Sequence, residues 1–190
     1  VITAQPDVSN SEGFLSTVVS SYDGGGNGYE LHGMYNMPLN DGKAAIRAVG
    51  YYRDMDGFIN NLTNGINNVN TDDVVGVRLS GTALLSDNVS ITGRIAYQDR
   101  ESAGNGIEEI EDGPRLQSRL PESNGDEWIN YNLVIEADFE WATLLSSTSY
   151  LDRSLPVTID LSPFIDVLFG VSNPLWTDIL DDTREFIQEV

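Results

Sequence analysis

Stretches of alternating apolar and polar residues in this chain are joined by connections that are short and long in turn. Few folds accommodate that rhythm. Only Asn40-Asp41-Gly42-Lys43 separates Leu39 from Ala44, whereas 54–72 intervene before the next such stretch. Ser86-Asp87-Asn88 is tight again, 99–127 is long, Phe139-Glu140-Trp141 is tight, and 152–185 is long. In an antiparallel meander, successive connections fall at opposite ends of the sheet, so the large loops share one end. A transmembrane barrel is built that way, with tight periplasmic turns and longer outer loops. A soluble sandwich has no physical reason to segregate its loops.

Period-two alternation identifies the stretches, because successive side chains on a strand point to opposite faces. Val89, Ile91, Gly93, Ile95 and Tyr97 oppose Ser90, Thr92, Arg94, Ala96 and Gln98. Val75, Val77, Leu79, Gly81, Ala83 and Leu85 oppose Gly76, Arg78, Ser80 and Thr82. Over 129–140, Ile129, Tyr131, Leu133, Ile135, Ala137 and Phe139 oppose Asn130, Asn132, Glu136, Asp138 and Glu140. Tyr29, Leu31, Gly33, Tyr35, Met37 and Leu39 oppose Glu30, His32 and Asn36, and 44–53 is similar, with Arg47 and Arg53 on its polar side. Segments 14–22 and 142–151 have strand composition but carry serine on both faces. Seven strands follow, with an eighth starting at Arg184. Helical spacing is weak and confined to 163–182, where Pro163 and Pro174 interrupt it.

These strands are about 10–12 residues long, at or just above the 9–11 that a tilted membrane strand needs. Aromatic residues such as Tyr29, Tyr52, Tyr97, Trp128, Tyr131, Trp141 and Tyr150 fall near their ends, as interfacial girdles require. No run reaches the eighteen apolar residues of a membrane helix, so any lipid contact must be made through strands. The net charge of −20 makes nucleic acid an unsuitable partner. Of the 30 acids, 19 lie in 54–72, 99–127 and 152–185, which leaves the strands between them weakly charged. With no cysteine there is no disulfide framework, thiolate metal site or cysteine nucleophile.

Segment 44–61, Ala-Ala-Ile-Arg-Ala-Val-Gly-Tyr-Tyr-Arg-Asp-Met-Asp-Gly-Phe-Ile-Asn-Asn, resembles the third barrel strand and following loop of TonB-dependent outer-membrane receptors. Asn36-Met37-Pro38-Leu39 with the turn after it resembles the entry to that strand. Val1-Ile2-Thr3-Ala4-Gln5-Pro6-Asp7 resembles the end of the family's plug domain, and 90–100 and 186–190 resemble later strands. The resemblance covers nearly the whole chain and is densest at 29–61 and 72–100. It implies a 22-stranded barrel occluded by an N-terminal plug. Such a receptor takes up a scarce ligand, typically a ferric siderophore, with energy delivered by TonB. Residues 1–10 then correspond to the end of the plug and its connection. Residues 11–190 correspond to the first third of the barrel, a fragment of an all-β antiparallel up-and-down meander in the bacterial outer membrane. The implied partners are the plug of the same protein, TonB through the missing plug segment, lipid and lipopolysaccharide, and the small-molecule ligand.

Individual residues offer little chemistry. His32 is the only histidine, and without a second ligand it makes neither a zinc site nor a triad. An arginine turned into lipid costs about 2–4 kcal/mol at the midplane. Arg47, Arg78 and Arg94 are therefore expected to face the lumen with His32, paired with carboxylates of the plug or of neighbouring strands. Asp54-x-Asp56-Gly57 and the cluster Glu108, Glu109, Glu111 and Asp112 do not complete a calcium loop. Asp23-Gly24-Gly25-Gly26-Asn27-Gly28 lacks the lysine and helix of a phosphate-binding loop and is expected to join two strands. No nucleophile, base and orienting acid occur together, so neither an enzyme nor a cofactor is expected. The rival expectation is a soluble extracellular β-sandwich or adhesin-like module, which requires Val89, Ile91 and Ile95 to be buried. A complete eight-stranded barrel requires the first strand to pair with the eighth.

Overall fold

The computed structural model describes residues 4–104, 115–116, 118–170 and 172–190. Among these are strands β1 (Glu12–Ser21), β2 (Asn27–Leu39), β3 (Ala44–Met55), β4 (Asn60–Asn61), β5 (Asp72–Ser86) and β6 (Val89–Ala103). β7 (Arg115–Leu116), β8 (Ser123–Phe139), β9 (Ala142–Asp160), helix α1 (Ser162–Phe169) and β10 (Trp176–Glu189) follow. Eight strands form one sheet in the order β1-β2-β3-β5-β6-β8-β9-β10, while β4 and β7 make a separate two-residue pair. All seven pairings in the large sheet are antiparallel. The all-β meander read from the sequence is therefore present. It is an open sheet: β1 pairs only with β2 and β10 only with β9.

The tight connections lie at one end of the sheet and the long ones at the other. At the first tight turn Asn40, Asp41 and Gly42 have φ of 52°, 51° and 83°. Asparagine, aspartate and glycine are the residues that tolerate this left-handed backbone most readily. The connection 22–26 is the one short link at the loop end, as the glycine run suggests.

Strand lengths correct the sequence reading. β8 has 17 residues and β9 has 19, so 152–160, expected as loop, is strand. β10 starts at Trp176 rather than near Arg184. The connecting loops shrink to 56–71, 104–122 and 161–175. Carboxylates that suggested loop are held in the ladder by neighbours, as in Thr158 Oγ1 to Asp178 Oδ1 at 2.8 Å and Arg184 Nε to Asp152 Oδ2 at 3.2 Å. Pro163 opens α1 instead of breaking it, since a proline in the first helical turn sacrifices no hydrogen bond. The cluster Glu108, Glu109, Glu111 and Asp112 lies outside the described residues, as do Val1, Ile2 and Thr3.

Register aligns the faces across the sheet. Leu31 pairs with Tyr52, Tyr52 with Val75, Leu79 with Ile95, and Ile95 with Tyr131, so one face is apolar from strand to strand. That face is the exposed one: Leu15 is 74% accessible, Leu79 54% and Ile95 47%. The polar face is sheltered, with Ser80 at 2% and Asn36 at 0%. A protein folded around a water-excluding core places these faces the other way.

The apolar band covers 29–39, 44–52, 75–83, 89–97, 129–139 and 142–150, relieved on β9 by Ser146 and Thr148. It slants across the ladder. Ala83 stands opposite Ala44, yet β5 continues to Ser86 before turning. Val89 stands opposite Ala137, yet β8 continues to Phe139. Each tight turn is thus displaced along the strands relative to the one before it. At the loop side of the band stand Tyr29, Tyr52, Tyr97, Tyr131 and Tyr150, with Asp54, Asp73, Asp99, Glu127 and Asp152 beyond them on the same face.

Candidate functional site

The polar face is where the chain concentrates groups that could bind anything. Three rows of paired residues define its centre. Tyr51, Gly76, Gln98, Trp128 and Arg153 form the upper row, nearest the loops. Val49, Arg78, Ala96, Asn130 and Leu151 form the middle row, and Arg47, Ser80, Arg94, Asn132 and Ser149 the lower. Gly76 is a requirement of the upper row, because a Cβ there would fall within the ring of Tyr51. The ring lies across the glycine, and its hydroxyl donates to Gln98 Oε1 at 2.6 Å.

All four residues singled out in the sequence lie on this face, since their parity matches the polar positions. His32 Nε2 lies 3.0 Å from Glu30 Oε2, and its ring stacks on Tyr51 with centroids 6.5 Å apart. Arg47 Nη1 reaches across β2 to Glu12 Oε1 at 2.9 Å. Arg94 Nη1 donates to Asn132 Oδ1 at 3.4 Å, while its Nε is buried without an acceptor. Arg78 makes no hydrogen bond or ion pair with a described residue. The structure thus brings Arg78 and Arg94 together, leaves His32 beside Glu30 on its own strand and pairs Arg47 with Glu12 two strands away.

Nearer the loops the arginines are paired. Asp72 bridges Arg53 and Arg100, with Arg100 Nε 2.6 Å from its Oδ1. Asp126 takes two bonds from Arg153, at 2.7 and 2.9 Å. Sequence reasoning missed Arg100, Arg153 and Trp128 as members of this face. For the two arginines the signal was the repeated tetrad Tyr97-Gln98-Asp99-Arg100 and Tyr150-Leu151-Asp152-Arg153. On a strand it places Tyr and Asp on the apolar side and Arg on the polar side.

At the loop end, the connections interlock. Asp160 is the hub: its Oδ2 accepts from Ser118 Oγ at 3.1 Å, Arg119 N at 2.6 Å and Leu120 N at 3.1 Å, and its Oδ1 accepts Ser162 N at 2.8 Å. Burial opposes ionisation of Asp160, but these donors outweigh it and hold the carboxyl below its ordinary range. Arg119 pairs with Asp166 of α1, and Asn61 Nδ2 donates to Ser118 O at 2.8 Å. One carboxylate and its partners therefore connect all three long loops. At the opposite end, Asn36 accepts Asp7 N at 3.0 Å and donates to Asp7 O and Asn10 O at 2.8 and 2.7 Å. Segment 4–10 is stitched to the polar face before β1 begins. The Asp7 carboxyl is held low by bonds from the Asn10 side chain and the Ser9 amide.

No set of three or more metal-ligating side chains gathers among the described residues. Asp54 and Asp56 do not converge: Asp54 accepts Tyr52 Oη at 3.3 Å, and Asp56 accepts Asn27 N at 3.2 Å. Compared with known proteins, the chain matches no family model, no curated protein and no solved structure.

Proposed function

We propose that this sheet is a section of the wall of a transmembrane β-barrel, in the bacterial outer membrane, belonging to a TonB-dependent receptor. Its ligand would be a scarce nutrient of the ferric-siderophore class. One observation carries the reading: the apolar face is the exposed face, in a band nine to eleven residues long on each of six strands. That is the length a tilted strand needs to cross the hydrocarbon core. The tyrosines along its upper margin suit an interfacial belt, with the carboxylates beyond it in water.

The slant of the band supports closure with further strands, because a barrel requires tilted strands whose register steps steadily around the wall. Open edges at β1 and β10 would be completed by the rest of the same protein, since lipid cannot satisfy unpaired backbone. The polar face would line the lumen, and segment 4–10, stitched to it, would be the last of a plug. Interlocked outer loops would then frame the vestibule where ligand first binds.

Two measurements test this. The full-length protein that carries this chain should insert into phospholipid vesicles with its β-structure intact, and the chain alone should fail to fold cooperatively in water without detergent. A monodisperse, cooperatively folding water-soluble chain would instead support a sandwich module. Deletion of the gene carrying this chain should abolish TonB-dependent uptake of a radiolabelled ferric chelate, and undiminished uptake of every chelate tried would remove the receptor assignment.

A further inference from the structure

Arg78 and Arg94 lie diagonally on the ladder. Arg78 pairs with Ala96, and Arg94 is two residues along β6 from that alanine. Diagonal positions of this kind are about 7–8 Å apart, within reach of long side chains. Two guanidinium groups carried on such positions and lining one concavity repel each other, and neither has a carboxylate partner among the described residues. Every other arginine on this face with a described side chain has one: Arg47 with Glu12, Arg53 and Arg100 with Asp72, Arg153 with Asp126. In a chain of net charge −20, an unneutralised pair of cations is a conspicuous exception.

The pair also has space beside it. Ala96 is the smallest side chain of the middle row and sits between Arg78 and Asn130, forming the floor of a concavity of about 520 Å³. Arg94 bounds it below, and Trp128 and Arg153 bound it on the loop side. Asn130 offers an amide on the middle row, and Trp128 contributes an indole. Cationic forks beside an aromatic wall recognise one chemistry well: a carboxylate attached to a flat or apolar body.

We infer that Arg78, Arg94 and Trp128 form a carboxylate-binding site on the polar face, with Ala96 as its floor. The site stands on side-chain geometry and does not require the other face to lie in lipid. The carboxylate could be supplied by a free organic acid or by an acidic side chain of a polypeptide lying over this face. Both share the chemistry that the arginines require.

The test uses the full chain in a non-ionic detergent, with Trp141→Phe and Trp176→Phe so that Trp128 is the single fluorophore. Benzoate should quench it saturably, and benzamide, equal in shape but uncharged, should not. Arg78→Gln should weaken benzoate at least about tenfold, the worth of one charge-assisted hydrogen bond. Arg78→Lys should recover part of the loss, and Arg184→Gln, on the opposite face, should change nothing. If a short glutamate-rich peptide displaces benzoate at lower concentration than benzoate itself requires, the natural carboxylate belongs to a polypeptide. If it does not, the natural carboxylate belongs to a small acid. Equal quenching by benzoate and benzamide, or unchanged affinity in folded Arg78→Gln and Arg78→Lys, would overturn the assignment.

Discussion

Position 76 illustrates how single residues hold the polar face in order. Tyr51 can lie flat across the sheet only because glycine leaves the space, and its bond to Gln98 depends on that pose. Gly76→Ala should push the ring aside and cost about 1 kcal/mol, the net value of one hydrogen bond. Tyr51→Phe should cost a similar amount, and the double variant little more than either alone, because both remove one interaction. Denaturant unfolding in detergent measures all three, and strict additivity would disprove the coupling. The parity of His32, Arg47, Arg78 and Arg94 was legible in the sequence because period two fixes the face of every strand residue. Which residues share a row was not. Row membership depends on register, and register depends on how far each strand runs before it turns. Ala96 therefore gave no sign that it lies between Arg78 and Asn130.

Elements, and the turns and loops that join them, follow two kinds of control. Tight turns are set locally: Gly42 has φ of 83°, which an L side chain adopts only with strain. Gly42→Val should cost about 1–2 kcal/mol, the penalty for a branched residue in left-handed backbone. A drop in unfolding midpoint with unchanged transition slope would register it. Long loops are held at a distance, by Asp160. Its carboxyl is depressed when folded, so the bonds it receives are intact above the ordinary carboxylate range and are lost as pH falls through the lower folded value. Hydrogen exchange at Arg119, Leu120 and Ser162 should therefore accelerate below about pH 4, the ordinary carboxylate range. Asp160→Ala should show the fast rate at every pH. Exchange in the wild type that is independent of pH after correction for intrinsic rates would exclude this role. The loops' common end was readable from spacing alone. Their true lengths were not, because clustered acids mark solvent as readily on a long strand as in a loop.

On the scale of the whole molecule, what distinguishes this sheet is which face is left uncovered. Water penalises an exposed apolar face by about 25 cal/mol per Å², so a band running across six adjoining strands needs a cover. Under the barrel proposal hydrocarbon would supply one without further side chains, and a register that steps along the strands is what a barrel wall would require. A single-charge scan distinguishes lipid from a protein cover. Leu79→Arg places a cation in the middle of the band and should destabilise the full-length protein folded into vesicles by about 2–4 kcal/mol. Ser16→Arg, on the polar face of β1, should change stability by no more than about 0.5 kcal/mol, the usual limit for substitutions away from packed sites. Both are read from unfolding midpoints in vesicles. If Leu79→Arg is as mild as Ser16→Arg, the band does not meet hydrocarbon. The asymmetry between the two faces would then have to come from a protein partner that tolerates a guanidinium where Leu79 stands.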